Sequence, residues 1–393
     1  MSRLLRLFAD LRDSTPRPFL LLLLTVFLAD FGLGIQTATY PNFMVQQLDI
    51  HPEQLGIMES IRESPGFILV AIAALTMRIA EPVLGGLALL VESAGMGSVS
   101  LVRSVNGLIL VSFIWSLGMH TWMPLNQSIA LATADDRTRG KRLGQLRSAS
   151  ALAQLTGMGV VALVATHVGL RAVFLVAGAS IFLGALNVFR IPRNLRKVEK
   201  PRLVFKRRYS TYYLLTFLEG CRKQVFITFA VFALVRVYSA SVEEIAGLMI
   251  GINLTNLVLA PTIGHWIDRW GERKVLTVNY VCLVFVFLGY ALVTYLPALF
   301  ALYAADGIIF TLSLAVTTYL DRIAEPQDVM PTLSMGVTAN HFAAILVPVT
   351  GGLLWATYGY QVFFFGGAAV VLLSLVVAQF VPGRELAPRA QPA

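Results

Sequence analysis

The feature that most constrains this chain is its succession of long apolar stretches. A helix that crosses a hydrocarbon core of about 30 Å needs about 20 mostly apolar residues. Twelve such stretches follow one another along the 393 residues, at 18–45, 53–76, 82–101, 106–131, 144–166, 171–190, 210–235, 244–262, 275–295, 297–320, 333–355 and 361–381. Glu92 and Arg103 interrupt the third and fourth. Composition decides what surrounds them: 13% of the residues are charged and 56% apolar, whereas a soluble domain carries about 25% charged residues. A surface so short of charge does not stay dissolved as a monomer, so much of its solvent is lipid. The expected fold class is an all-α integral membrane protein with twelve transmembrane helices.

Orientation follows from Lys and Arg in the connections, which favour the cytoplasmic side. With the N-terminus inside, 25 of the 31 basic residues fall on inside segments and three (Arg103, Arg171 and Arg236) on outside ones. The remaining three, Arg62, Arg222 and Lys223, lie within spans. Both termini are therefore expected in the cytoplasm, and the net charge of +9 reflects topology rather than nucleic-acid binding. The basic N-terminal segment before Phe19 can also be read as a signal peptide, but no small-residue cleavage pattern ends the run and its helix has a counterpart later. Cys221 and Cys282 both lie in apolar stretches, which excludes a disulfide framework or a cysteine metal site. No phosphate-binding P-loop pattern occurs, so any transport must draw on an ion gradient, a substrate gradient or another chain.

A shift of 190 residues brings the two halves into register. Thr166–Phe174 (THVGLRAVF) falls on Ala356–Phe364 (ATYGYQVFF), Gly169 meets Gly359, and Glu53-Gln-Leu-Gly parallels Glu243-Glu-Ile-Ala. A basic loop at 191–209 separates a six-helix bundle at 18–190 from a second at 210–381, with cytoplasmic segments at 1–17 and 382–393. The loop Gly264-His-Trp-Ile-Asp268-Arg269-Trp-Gly271-Glu-Arg273-Lys274 adds a local signature. With two matched six-span halves, it resembles the loop between spans eight and nine of the major facilitator superfamily, Gly-x-x-x-Asp-Arg-x-Gly-Arg-Lys-Arg in outline.

That resemblance implies two pseudo-symmetric bundles, a central cavity lined by spans one, four, seven and ten, and a cytoplasmic latch at Gly264, Asp268, Arg269, Gly271 and Arg273. On physical grounds Gly264 and Gly271 suit a tight turn, and Asp268 can accept from a nearby helix N-terminus, where the macrodipole favours an anion. Two departures stand out. The first-half loop Ala74-Leu-Thr-Met-Arg78-Ile-Ala-Glu81-Pro82 lacks the glycines and the aspartate. Span five carries Gly157 and Gly159 but not the proline of the antiporter signature, while Pro348-Val-Thr-Gly351-Gly352 occurs in span eleven.

Charge inside a bilayer costs several kcal/mol or more and usually faces a cavity or a partner. This chain places Asp30 in span one, Glu59, Arg62 and Glu63 in span two, Glu219, Arg222 and Lys223 in span seven, His120 in span four, Asp306 in span ten, and Asn340 with His341 in span eleven. Asn253 and Asn256 lie in span eight. Spacing of i, i+3, i+4 puts Glu59, Arg62 and Glu63 on one helix face. Arg222 and Lys223 point about 100° apart, so they do not serve one ligand. Candidate cavity residues are Asp30, Arg62, Glu63, Glu219, Arg222, Asn253, Asn256, Asn340 and His341. Candidate proton carriers are Asp30, Glu63 and Glu219. Arg222 is the favoured anion contact because its fork suits carboxylate or phosphate, and the alternative is a structural ion pair with Glu219.

The expected function is secondary active transport of a small polar or ionic solute, zwitterionic or anionic, by proton-coupled alternating access at the interface of the halves. The setting is the bacterial inner membrane and the transporting unit a monomer, without catalytic residues, cofactor, metal or nucleic-acid partner. Two alternatives stand beside it: a drug/proton efflux antiporter, and a transporter-like sensor or scaffold that binds without transporting. Five scattered histidines give no metal-ligand spacing and speak against a membrane enzyme.

Overall fold

The computed structural model describes residues 16–76, 78–134, 138–195 and 205–383. Most of the expected 1–17 segment, the middle of the 191–209 loop and the end of the 382–393 tail lie outside the described residues. Twelve helical rods account for nearly everything else. They are α1 (Arg17–Leu48), α2 (Pro52–Leu75), α3 (Glu81–Ser98), α4 (Val105–Ala132), α5 (Arg139–Val168) and α6 (Leu170–Val188). The second set is α7 (residues 210–236), α8 (Val242–Trp270), α9 (Glu272–Leu292), α10 (Leu296–Ile323), α11 (Pro326–Tyr358) and α12 (Tyr360–Ala378). Hydropathy marks the part of each rod in lipid, and the helices continue beyond it. The 33 residues of α11 span about 50 Å at 1.5 Å per residue, well over a hydrocarbon core.

Among the described residues, ten rods are long and apolar enough to cross a membrane by length and composition alone. The other two are α2 and α7, which carry Glu59, Arg62 and Glu63 and Glu219, Arg222 and Lys223 respectively. Charge, not length, removes them from that set. The α7 rod is also irregular: an α-helix over Ser210–Gln224, a π-helical segment over Val225–Ala230, then α again over Val231–Arg236. In α10 a 3₁₀ turn over Phe310–Ser313 separates Leu296–Ile309 from Leu314–Ile323. Interruptions of this kind inside a helix often mark a hinge or a functional site.

The 190-residue repeat is visible in the backbone. Asp49 (φ +46°) and Ser239 (φ +58°) have left-handed backbones one repeat apart. Behind them Ile50 N–H donates to the Met44 carbonyl and Ala240 N–H to the Leu234 carbonyl, the same helix stop used twice. The next helix starts alike: Gln54 accepts from His51 N–H, and Glu244 accepts from Ser241 N–H within a full capping box. Gly169 (φ +82°) and Gly359 (φ +86°) each join two helices without a linker. That region of φ with extended ψ is essentially reserved for glycine.

By contacts the chain forms two compact units, one of residues up to Phe43 and from Ile68 to Glu199, the other of Met44–Phe67 and the chain from Lys200. The N-terminal part of α2 therefore packs with the second-half helices. Small residues permit this: a side chain at Gly56 would strike the Pro348 carbonyl and one at Gly352 the Pro52 carbonyl.

Candidate functional site

In the second unit, buried charge gathers where α7 and α10 lose regular geometry. Glu219 and Arg222 are one turn apart on α7, and Arg222 Nε donates to Glu219 Oε2 at 3.1 Å. Arg222 Nη1 donates to Asp306 Oδ1 of α10 at 2.8 Å. The guanidinium lies 4.8 Å from the centre of the Phe310 ring, in the first residue of the 3₁₀ turn. Arg222 is wholly buried, Tyr280 of α9 sits beside it, and the buried Arg222 Nη2 and Glu219 Oε1 make no hydrogen bond. One cation thus holds two acids. Asn256 of α8 donates to the Gly307 carbonyl at 3.1 Å, three residues before the 3₁₀ turn. It supports the backbone of α10 there.

Lys223, the next residue, lies within the field of Glu63, Arg222, Arg62 and Glu219. On α2, Arg62 Nη2 reaches Glu59 Oε2 at 2.5 Å and Glu63 Oε1 at 2.6 Å. His341 Nδ1 of α11 lies 3.5 Å from Glu63 Oε2, and Ser60 donates to the Ile345 carbonyl. Arg62 therefore links acids on its own helix, and Glu63 with Ser60 ties α2 to α11. Asn340 lies behind Gly220, whose missing side chain lets α7 approach α11. Asn253 donates to the Met249 carbonyl of its own helix at 2.8 Å.

The first unit is built differently. Asp30 of α1 is half-buried and faces Ser150 of α5. Those helices touch at glycines: a side chain at Gly34 would strike the Gln154 backbone, and one at Gly157 the Phe31 carbonyl. Glu92 of α3 is 2% exposed, its Oε2 makes no hydrogen bond, and Asp30 is its ionisable neighbour. His120 bonds through Nδ1 to the hydroxyl and carbonyl of Ser116 at 2.9 Å each.

In the second unit, Gly271 (φ +79°) alone makes the turn from α8 to α9. Gly264 and Asp268 lie inside α8, which runs unbroken to Trp270. The expected turn at Gly264 is absent because the helix continues through it, and Asp268 lies in the last turn of α8, just before the N-terminus of α9. Arg269 is in the last turn of α8, and Arg273 donates twice to Gln379 Oε1 at 3.3 Å, tying α9 to α12. Glu272, which the motif reading passed over, pairs with Arg322 at 2.8 Å and joins α9 to α10. A second tie sits beside it. Lys206 Nζ and the Tyr209 hydroxyl donate to Asp328 Oδ2 at 2.6 and 2.7 Å, and Arg208 pairs with Glu325.

A family model described as Major Facilitator Superfamily matches residues 22–233 and again residues 212–393. The chain belongs to the major facilitator superfamily. It is thus a multi-pass membrane protein and a secondary transporter of a small molecule, as the loop and the repeat imply. It is 26% identical over 369 residues to the Multidrug resistance protein MdtG of Salmonella arizonae, covering 84% of this chain and 88% of that protein. Against the MdtG of Klebsiella pneumoniae (strain 342) the identity is 25% over 380 residues, covering 88% and 90%. The fold is similar to that of the nucleoside transporter NupG, with a TM-score of 0.76, 14% identity and coverage of 93% of this chain and 98% of that one. It is also similar to a bacterial homolog of the human lysosomal transporter Spinster, with a TM-score of 0.75, 14% identity and coverage of 95% and 98%. Among the described residues the regular structure is helical throughout, and the charges of α2 and α7 lie within its helices.

Sequence reasoning named Asp306 among the intramembrane charges but gave it no part in the site, and it set Glu92 aside as an exception on a support helix. Gly307, next to Asp306, was the available signal for an irregular α10. Gly118 was the signal for Glu92, because it brings α4 against the backbone of Ala88 and Glu92.

Proposed function

We propose that this transporter exports amphipathic organic solutes, cations among them, in exchange for protons. The observation that carries this is the balance of buried charge. Arg222, the residue best suited to an anion, is already committed to Glu219 and Asp306, whereas among the described residues neither Asp30 nor Glu92 pairs with a cation and Glu92 Oε2 is buried without a hydrogen bond. Buried acids in excess suit a proton or an organic cation better than an anion. The likeness to multidrug resistance proteins supports the same substrate class. The six-helix bundles 18–190 and 210–381 would rock about a central site in the inner membrane, with both termini cytoplasmic and a single chain sufficient. Within that frame Glu63 with His341, and the half-buried Asn340, are the second unit's candidates for solute contact.

A second reading, uptake of a small polar solute, draws on those same amide and imidazole groups. Liposomes with an imposed pH gradient separate the two. Export in exchange for protons predicts that inverted vesicles with an acid lumen accumulate ethidium and lose it when nigericin collapses the gradient. Accumulation indifferent to the gradient, or no ethidium flux, would rule the proposal out.

A further inference from the structure

At the start of α5 the first unit buries a cation rather than an acid. The opening turn carries Arg139, Lys141 and Arg142 and no acidic residue, against the usual preference for acids where the helix macrodipole is positive. Arg139 and Lys141 are exposed, but Arg142 is only 7% exposed. Its guanidinium lies 4.6 Å from the centre of the Phe19 ring at the start of α1, and Nη1 donates to Gln145 Oε1 at 3.2 Å. Its Nε is enclosed and makes no hydrogen bond, and among the described residues no acid pairs with it. A guanidinium out of water without an anion is costly. Helical side chains lean toward the N-terminus of their helix, so this one lies over the turn whose backbone N–H groups have no carbonyl of the helix to reach. The surface beside that turn is open: a side chain at Gly140 or Gly144 would meet nothing within 4 Å.

One repeat later the same corner carries its own acid. Tyr209 stands where the first unit has Phe19, and Asp328 where it has Thr138. Asp328 takes hydrogen bonds from Lys206 and Tyr209, and the counterpart of Arg142 is the neutral, buried Thr332. The second unit thus supplies both partners of its ion pair, while the first buries the cation and has a threonine at the position of the acid. Depth indicates where an anion would come from. The apolar stretch of α5 begins at residue 144, two residues after Arg142, which sets the guanidinium where hydrocarbon gives way to lipid headgroups. We propose that this turn binds the phosphate of an anionic phospholipid, held by the Arg142 fork and the first N–H groups of α5, with Arg139 and Lys141 at the rim. The fork of an arginine matches phosphate, a helix N-terminus favours it, and a basic cluster at the end of a span draws anionic lipid. The lipid gives the α1–α5 corner the anion that Asp328 gives the α7–α11 corner.

The test titrates detergent-purified full-length protein with phosphatidylglycerol, phosphatidylcholine or inorganic phosphate and reads the melting temperature, which rises when a ligand binds the folded state. Phosphatidylglycerol should raise it saturably, and phosphatidylcholine much less. Arg142→Gln should increase the phosphatidylglycerol concentration for half the effect at least about tenfold, and Arg142→Lys by less, because an ammonium keeps the charge but not the fork. Arg147→Gln, an exposed cation of the same helix, should change it little. Equal losses in Arg142→Gln and Arg147→Gln would overturn the site in favour of diffuse attraction to a basic surface. The same Arg142-dependent rise with inorganic phosphate alone would overturn the assignment to lipid. Should Arg142→Gln fail to fold, hydrogen exchange of the wild type decides: phosphatidylglycerol should slow the amides of residues 139–141 relative to phosphatidylcholine. Exchange and melting temperature indifferent to phosphatidylglycerol would overturn the proposal.

Discussion

The two units share a backbone plan and differ in what they do with buried acid. The second unit closes Glu219 and Asp306 onto Arg222, stacks the cation over Phe310 and places the cluster where α7 and α10 lose regular hydrogen bonding. The first unit encloses Glu92 with its Oε2 unbonded and no cation paired to it among the described residues. A paired charge is fixed, because removing either partner strands the other in a low-dielectric interior. An unpaired acid has a cheaper escape, which is to take up a proton. On the proposed function, the contrast gives a structural role to one unit's charge and a titrating role to the other's, although the two share one backbone plan.

The largest expected effect comes from breaking the fixed charge. Arg222→Met leaves two acids buried without a cation and should cost about 3–5 kcal/mol of stability, read as a fall in melting temperature in detergent. Adding Glu219→Gln and Asp306→Asn should recover much of it. A single variant as stable as the wild type would mean that the cluster is not closed in the working protein. Asp30→Asn is expected to do the opposite. It should fold normally and lose at least about tenfold of gradient-driven flux, the equivalent of about 1.4 kcal/mol, while solute counterflow persists. If Asp30→Asn and Glu219→Gln both left gradient-driven flux intact, the contrast between the units would have no functional content.

Most of the fold was legible because lipid imposes a length and a polarity that a sequence shows directly. The twelve stretches became twelve rods, and Gly169 and Gly359 marked the same turn twice. The latch was only partly legible. Gly271 turns as its motif suggests, but Gly264 does not, since nothing in a local pattern distinguishes a helical glycine from a turning one. Asp306 and Glu92 were visible as charges, yet their neighbours lie on other helices, and pairing across helices depends on rotation about each axis. The π segment left no clear sequence mark because no proline enforces it. Pro348, which looked like a displaced signature, instead receives the close approach of Gly56.

The shared backbone can be probed where the two units are most alike. Gly169→Ala and Gly359→Ala each force a side chain into a conformation reserved for glycine, which should cost about 1–3 kcal/mol. Matched losses of melting temperature would confirm that the repeat governs energetics as well as shape. Gly359→Ala should lose slightly more, because its new Cβ would lie 3.0 Å from Gln361 Oε1 whereas Gly169 faces open space. A loss at one site alone would show that the second turn is held by its surroundings.

The smallest effect should come from a place where the units diverge by a single hydroxyl. Phe19 and Tyr209 sit one repeat apart near the starts of α1 and α7. Arg142 of α5 stacks 4.6 Å from the Phe19 ring, while the Tyr209 hydroxyl donates to Asp328 at the start of α11. Each unit thus ties the same two helices by different chemistry. Tyr209→Phe would give the second unit the first unit's ring and remove one donor from Asp328. Hydrogen bonds from Lys206 and then Tyr209 hold the Asp328 carboxyl below its ordinary value. A group depressed in this way contributes stability above its unfolded value, about 3.9, and loses it as pH falls through the lower folded value. The Tyr209→Phe penalty should therefore be small and constant from about pH 5 to pH 8 and vanish only in stronger acid. A penalty that changed between pH 6 and pH 8 would place the tie on a different group, and with it the claim that the second unit's charges are fixed under working conditions.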